Sequence, residues 1–479
     1  MNMRIGGLAS GIDTDSIIKD LMKAHRISVD NMKQQRQLVE WQRDAYAEIN
    51  AKLREFRNNA LFTFNKEGTV GAKKAVVSGS SSAISAKALG TAQTSVLNVR
   101  VETKASAATL YKNEITNADN IVADWKNTTF SINDDEVTIT EDDTFASVIE
   151  KINKNTDVTA FFDEASGKLS FVSKKTGVAN GIEFSGGFLE NGLGLQPTDV
   201  TAGSDATVHI NGIETKQASN TFTVNGIEIT INAADNVTNT IEVKTDTDKI
   251  IESVKTFLEE YNKINAALTE QLNAQRYRSF TPLTDEQKEE MSEKEIELWE
   301  GKAKSGVLRN DSILESAYNQ LRYAASAVVN NSSDYNTLAD IGITTGTYSE
   351  RGKLYLDEDE LREAIETDPN AVVSLITGKG GNGDDSVGIA ERMDGILQQA
   401  LKDISAKAGT SAYGDASGFN KDAILSERLD DFDDQIDQMN DRLAQVENRY
   451  YRQFAAMEAA IQRLNSQSTY LMNQFGGGM

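Results

Sequence analysis

Few patterns in this chain of 479 residues have the residue types and spacing that catalysis or cofactor binding needs. Ser16-Ile17-Ile18-Lys19 has the Ser-x-x-Lys spacing of acyl-enzyme hydrolases, in which the lysine serves a serine nucleophile. Its companion Ser-Asp-Asn motif is missing, so a serine at the start of a helix is the better reading. The glycine cluster GGLASG at 6–11 lacks the Lys-Ser/Thr ending of a phosphate loop, and no strand precedes it. GKGGNGDD at 378–385 has its lysine before Gly380 rather than before Ser or Thr, and reads as a solvated loop.

The acidic clusters lead no further. DEDE at 357–360 has no glycine where a calcium loop requires one; Asp357 and Asp359 are better placed to cap a helix holding Leu361, Ala364 and Ile365. DDE at 134–136 and EDD at 141–143 read as solvated turns, with weak calcium binding the alternative. The chain has two histidines, His25 and His209, and no cysteine, which removes thiolate chemistry, disulfides and zinc-cysteine sites. No catalytic, cofactor or metal constellation emerges.

The elements around these residues say more. The length is that of about three domains. A net charge of −24 opposes binding to nucleic acid and to anionic lipid. No run approaches the ~18 apolar residues of a membrane span, and the N-terminal stretch lacks the apolar core of a cleaved secretory signal.

From Ser16 to about Phe64 the pattern is helical, with Ile18, Leu21, Met32, Val39, Tyr46, Ile49, Leu53, Phe56 and Ala60 on three- and four-residue steps. His25, Ser28, Gln35 and Gln42 fill the intervening seam positions. Asp13, Thr14 and Asp15 offer caps. At 1.5 Å per residue this helix reaches ~70 Å, the length of a coiled-coil arm. The far end mirrors it: Leu429, Phe432, Ile436, Met439, Leu443, Val446 and Tyr450 keep a 3-4 spacing without a gap. Beyond Tyr450 the seam drifts through Phe454, Met457, Ile461, Leu464 and Leu471. Residues 19–57 carry a net charge of +3 and residues 427–463 one of −4. Opposite charge on two seam-bearing helices favours their pairing.

The middle changes character twice. Residues 69–245 have the Thr, Val, Ile, Asn and Gly content of strands and turns. Asn211-Gly212 and Asn225-Gly226, flanked by alternating apolar residues, predict two type I′ hairpins. Residues 130–172 read as a ββαββ unit with a turn at 166–168. Helices return at Asp248, where Ile250, Val254, Phe257, Tyr261, Ile264 and Leu268 form a stripe. A further helix runs from about Ile313 to Val328, residues 284–304 form a charged helical insertion, and 341–357 form a hairpin.

GLASGIDTDSIIKDLM at 7–22 resembles the N-terminal signature of the bacterial flagellar filament-capping family, hook-associated protein 2. TDKIIESVKTFLEEYNKINAAL at 247–268 is similar to a family helix ending in a Tyr-Asn pair, here Tyr261-Asn262. Residues 338–377 match its Ile-Gly-Ile, Gly-x-Leu and Asp-Pro pattern, and SNTF at 219–222 and the C-terminal heptads also fit. The 106–203 head matches only loosely.

The resemblance implies an α+β multidomain protein with paired terminal coiled-coil helices, a helical trunk and inserted β-rich heads. The expected divisions are leg helices at 1–43 and 430–479, and a trunk at 44–68 and 246–429. An inner head is expected at 69–105 and 204–245, and an outer head at 106–203. It implies a non-enzymatic structural cap at the distal end of the filament, outside the cell, exported by the flagellar apparatus without a cleaved signal. The implied partners are further copies of itself in a ring, a pentamer by resemblance, flagellin, a hook–filament junction protein and an export chaperone. No nucleic acid, membrane insertion, cofactor or metal is expected. Leg-docking and oligomer-seam candidates are Leu8, Ile12, Ile17, Ile18, Leu21, Leu429, Ile436, Met439, Leu443, Val446, Met457, Leu464 and Leu471. Another flagellar axial protein and a surface adhesin with a β-rich head remain the alternatives.

Overall fold

The computed structural model describes residues 13–79, 82–113, 115–331, 333–378, 386–411 and 419–475. The glycine cluster at 6–11, Leu8 and Ile12 lie outside them, as does all but the first residue of the loop at 378–385. The architecture is α+β and multidomain. It divides into two compact units: one of residues 1–66, 251–364 and 370–479, the other of residues 67–250 with 365–369.

The first unit is helical. Asp13 accepts a hydrogen bond from the Ser16 amide at 3.0 Å and opens a helix over Thr14–Glu55. Ser16 is therefore a first-turn residue. The helix continues through a π-turn at Phe56–Leu61 and one further turn to Phe64. A helix over Ile389–Ala408 lies against it and against Ser312–Ser326. The apolar stripe of the helix Thr247–Asn273 is buried as its spacing predicts, from Ile250 and Val254 to Tyr261, Ile264 and Leu268. Phe257 of this stripe stacks on Phe64 with ring centroids 4.1 Å apart, and Phe56 closes the cluster.

The second unit contains two β-rich cores. In one, a five-stranded sheet of order 73–78, 238–245, 95–103, 206–210, 213–217 accompanies a three-stranded sheet of order 221–224, 227–231, 84–88. Leu97, Val99, Val101, Val208, Ile227, Ile229, Ile241 and Val243 fill the space between them. Both Asn-Gly turns have the positive φ pair of type I′: 49° and 86° at Asn211-Gly212, 49° and 77° at Asn225-Gly226. At Gly226 a Cβ would lie 2.6 Å from the Ala92 amide nitrogen, so glycine is required by space as well as by φ.

The other core holds the ββαββ unit: strands Thr128–Ile132, Asp135–Ile139, Val158–Asp163 and Lys168–Thr176 around the helix Phe145–Asn155. Its two hairpins enter different sheets, one of three strands and one of four, with the helix packed on both. The acidic turn at 141–143 is more than a solvated loop. Asp143 accepts from the Thr140 amide at 2.6 Å and the Ser147 hydroxyl at 2.6 Å, and pairs with Lys151. Burial pushes its carboxyl up, but these donors outweigh that and hold it well below the usual carboxylate range.

Candidate docking interface of the terminal helices

The two terminal helices, Thr14–Glu55 and Ile424–Phe475, run antiparallel side by side. His25 Nε2 lies 3.2 Å from the Tyr450 hydroxyl. Further along, Arg36 grips Asp433 with two bonds, Nε to Oδ1 at 2.6 Å and Nη2 to Oδ2 at 3.0 Å, and also reaches Glu40. Accepting from the guanidinium, Asp433 raises the Arg36 pKa above its ordinary value despite partial burial. Arg43 lies over the Phe419 ring, 4.1 Å from its centroid.

The N-terminal seam differs in phase from the sequence expectation. The seam runs through buried or half-buried positions 18, 22, 29, 32, 36, 39, 43 and 46, with exposed His25 meeting Tyr450, and not through 18, 21, 25, 28, 32, 35, 39, 42 and 46. Every other step lands one residue later. Each heptad allowed either choice, and the chosen face buries Met22 and Val29 where the other would have buried Leu21 and Ser28. It also turns Arg36 toward the acidic helix and Arg43 toward Phe419 just before it, where Gln35 and Gln42 would have brought no charge. Leu21 is left 40% exposed, and Ile17 is exposed beside it.

On the C-terminal helix, Leu429 and Ile436 are buried, and Met439, Leu443 and Val446 are half-buried along the pairing face. Ile461 is the last half-buried residue among those described. Antiparallel registration places it near Thr14, so the rest of the helix runs past the partner's first described turn. Leu464 (63% exposed), Tyr470, Leu471 (51%) and Met472 thus stand open to solvent, and Met457, one heptad before Leu464, is exposed on the same face as Leu464 and Leu471. Of the predicted seam residues, the structure brings Ile18, Leu429, Ile436, Met439, Leu443 and Val446 into the pairing face and leaves Ile17, Leu21, Met457, Leu464 and Leu471 open.

Two features that brace the arms were not evident from spacing alone. The insertion folds as helices Asp285–Glu289 and Glu293–Lys304, each opened by a capping box. It packs on the outer face of the N-terminal helix: Lys33 Nζ meets Asp285 at 2.9 Å, Gln34 donates to the Pro282 carbonyl at 2.6 Å, and Lys304 sits over the Trp41 ring. Trp299 fixes the insertion by donating to the Thr281 carbonyl at 2.8 Å and contacting Phe280. Tyr46, buried, donates to Asp311, which caps the helix Ser312–Ser326 by accepting from the amides of Ile313 and Leu314. Burial and that acceptor push the Tyr46 phenol well above its usual range.

The Tyr261-Asn262 pair divides the labour of anchoring a hairpin, Ile343–Thr345 with Leu354–Leu356. Tyr261 is buried in the trunk core, while Asn262 reaches the hairpin edge. Its Nδ2 donates to the Leu354 carbonyl and its Oδ1 accepts from the Leu354 amide, both at 2.9 Å. Asn265 and Tyr318 both donate to the Arg351 carbonyl. Gly342 of the Ile-Gly-Ile motif has φ +80°, and a Cβ there would meet the Asp357 carbonyl oxygen at 2.8 Å. Asp357 caps the following helix by accepting from the amides of Asp359 and Glu360, so Asp359 lies within the helix rather than capping it.

Residues 10–108 match the family description "Flagellar hook-associated protein 2 N-terminus", and residues 203–466 match "Flagellar hook-associated protein 2 C-terminus". The chain is 31% identical to flagellar hook-associated protein 2 of Halalkalibacterium halodurans, over 99% of this chain and 100% of that protein. The chain belongs to the flagellar hook-associated protein 2 family. Other members include that of Thermotoga maritima, 25% identical over 99% of this chain and 96% of the relative. That of Escherichia coli K12 is 25% identical over 98% and 97%. The fold is that of the crystal structure of the flagellar cap protein FliD D1-D2-D3 domains from Escherichia coli, with a TM-score of 0.54 at 21% identity. The likeness covers 81% of this chain and 99% of that one. The ββαββ unit matches a separate description, "Flagellin hook IN motif", over residues 129–175. In this hook-associated protein 2 family member, the residues of the Tyr-Asn pair, Ile-Gly-Ile and Gly-x-Leu motifs converge on the one trunk hairpin.

Among the described residues no group of three or more His, Cys, Asp or Glu could hold a metal ion, and no helix is long and apolar enough to cross a membrane.

Proposed function

We propose that the protein caps the distal end of the bacterial flagellar filament and promotes the ordered insertion and folding of exported flagellin subunits, without covalent chemistry. The observation that carries this reading is the end-to-end match to a hook-associated protein 2 at 31% identity. The proposed working form is a ring of identical subunits, a pentamer, at the extracellular tip. Its other partners are a hook–filament junction protein and an export chaperone, and its route out is the flagellar export apparatus without a cleaved signal. The leg helices, the trunk and the inner and outer heads take the divisions given above.

In this reading the open apolar positions of the arms, Ile17, Leu21, Met457, Leu464 and Leu471, are the docking surface, with Leu8 and Ile12 beside them in sequence. The paired positions hold the legs together between encounters. The polar seam residue His25 keeps the pairing weaker than a fully apolar coil, so that the legs let go as each flagellin locks in.

The test is complementation of a motile strain that lacks its own cap. The wild-type chain should restore filaments. Leu464→Asp with Leu471→Asp should leave unpolymerised flagellin in the culture supernatant while the purified variant still forms rings in micrographs. Normal filaments from that variant would remove the docking role, and failure of the wild-type chain to restore filaments, with rings absent, would overturn the cap reading.

A further inference from the structure

A cleft of about 310 Å³ in the trunk unit combines a positioned cation with a bare strand edge. Arg322, Tyr323, Thr345, Thr347 and Tyr348 line it. The guanidinium of Arg322 lies over the Tyr318 ring, 5.3 Å from its centroid. Its stem passes beneath Gly352 (φ +83°), where a Cβ would fall 2.5 Å from Arg322 Nε. Gly352 is thus needed twice, for its backbone and for the arginine below it. Among the described residues Arg322 forms no ion pair. The acidic residue of the hairpin loop, Glu350, is already taken by Tyr355 and by the hydroxyl and amide of Thr347.

The hairpin ladder accounts for the bare edge. Gly346 donates to the Lys353 carbonyl and Asp357 donates to the Gly342 carbonyl, with Thr345 opposite Leu354 between them. Antiparallel ladders alternate, so the N–H and C=O of Thr345 and of Leu354 point outward on opposite edges. On the Leu354 edge, Asn262 satisfies both groups. On the Thr345 edge, which faces the cleft, no described residue does. A lone donor and acceptor pair on an exposed edge is a template for a further strand.

We propose that this cleft takes an extended acidic segment of another polypeptide, which adds a third strand at Thr345 and sets a carboxylate on Arg322. The Asn262 amide shows the chemistry on the opposite edge, where one donor and one acceptor meet one residue of the hairpin, as a strand backbone would. The planar guanidinium, held on two sides, suits two-point capture of a carboxylate. Tyr323 and Tyr348, 75% and 95% exposed, offer apolar faces with polar tips for the flanking side chains. A small free anion would engage Arg322 but leave the Thr345 edge unpaired, which is why the geometry favours a peptide.

The experiment uses the full chain and fluorescein-labelled Thr-Val-Glu-Val-Thr amide, followed by anisotropy, with the same peptide carrying Gln at the centre. The Glu peptide should bind about tenfold more tightly than the Gln peptide, the gain of a charge-assisted pair. Arg322→Gln should make the two peptides equal, and Arg322→Lys should retain part of the preference. Thr345→Pro removes only an amide that the hairpin does not use, and should weaken both peptides alike. Near-ultraviolet circular dichroism establishes that each variant is folded, and Arg322→Lys serves if Arg322→Gln is not. Equal binding of the two peptides to the wild-type chain, or full binding by Thr345→Pro, would overturn the proposal. So would loss of self-association in Arg322→Gln with neither peptide bound, since a folded surface of a second copy would then occupy the cleft.

Discussion

Arg36 and Asp433, 397 positions apart in the sequence, meet through two parallel hydrogen bonds of 2.6 and 3.0 Å. The pair keeps both of its side chains in partial contact with solvent. It therefore fixes the register of the arms more than it stabilises them.

Replacing either partner with alanine should cost about 0.5–1 kcal/mol, the range of a well-formed but solvent-touched pair. A double-mutant cycle with Arg36→Asp and Asp433→Arg should recover most of that loss. The measurement is urea unfolding read by far-ultraviolet circular dichroism. Strict additivity of the two single changes would mean that the bonds do not couple the arms.

Asn262→Ala should destabilise the trunk unit by about 1–3 kcal/mol, because it strips both partners from the Leu354 backbone. Amide exchange at Leu354 should accelerate before exchange in the helix Thr247–Asn273 does. Unchanged protection at Leu354 would show that water replaces the side chain without loss.

Glu350 has its carboxyl lowered to about 2 by the Tyr355 hydroxyl first, then by the hydroxyl and amide of Thr347. A carboxyl lowered in the folded state stabilises above its unfolded pKa, and that contribution is lost as pH falls through the folded value. The loop around 346–353 should therefore loosen between about pH 4.5 and about pH 2. Glu350→Gln should abolish that dependence. Carboxyl chemical shifts give the titration directly, and a midpoint at the ordinary glutamate value would rule the effect out.

Trp299→Ala should free the insertion from Thr281 and Phe280, costing roughly 1–3 kcal/mol locally. Because the insertion covers Trp41 and Lys33, exchange over residues 33–41 should speed up and the Trp41 emission should shift to the red. Emission that stays put would mean that Trp41 is covered by other groups.

How much of this was legible in the sequence varies with the range of the interaction. The Asn-Gly hairpins follow from two adjacent residues and formed as predicted, as did the buried stripe from Ile250 to Leu268. The C-terminal seam from Leu429 to Tyr450 was legible because nothing interrupts its heptads. The N-terminal seam was not fully so, since Leu21 and Met22 are both apolar and only the acidic partner helix, with Asp433, decides between them. The bracing role of the insertion lay beyond reach for the same reason. Gln34 and Pro282 are 248 positions apart, and no local pattern joins them. The motif at 338–377 was visible as a motif, but its purpose rests on the Asn262 side chain from another helix.

The helical unit draws on stretches from both halves of the chain, whereas nearly all of the other unit is one continuous run, 67–250. During synthesis, or on emergence from any narrow passage, the continuous run closes from its own residues as soon as they are out. The helical unit has to wait, because Arg36 meets Asp433 only when almost the whole polypeptide has appeared, and long closures come slowly. The arms are therefore the last elements to find each other, and until then the apolar seam of each lacks its partner.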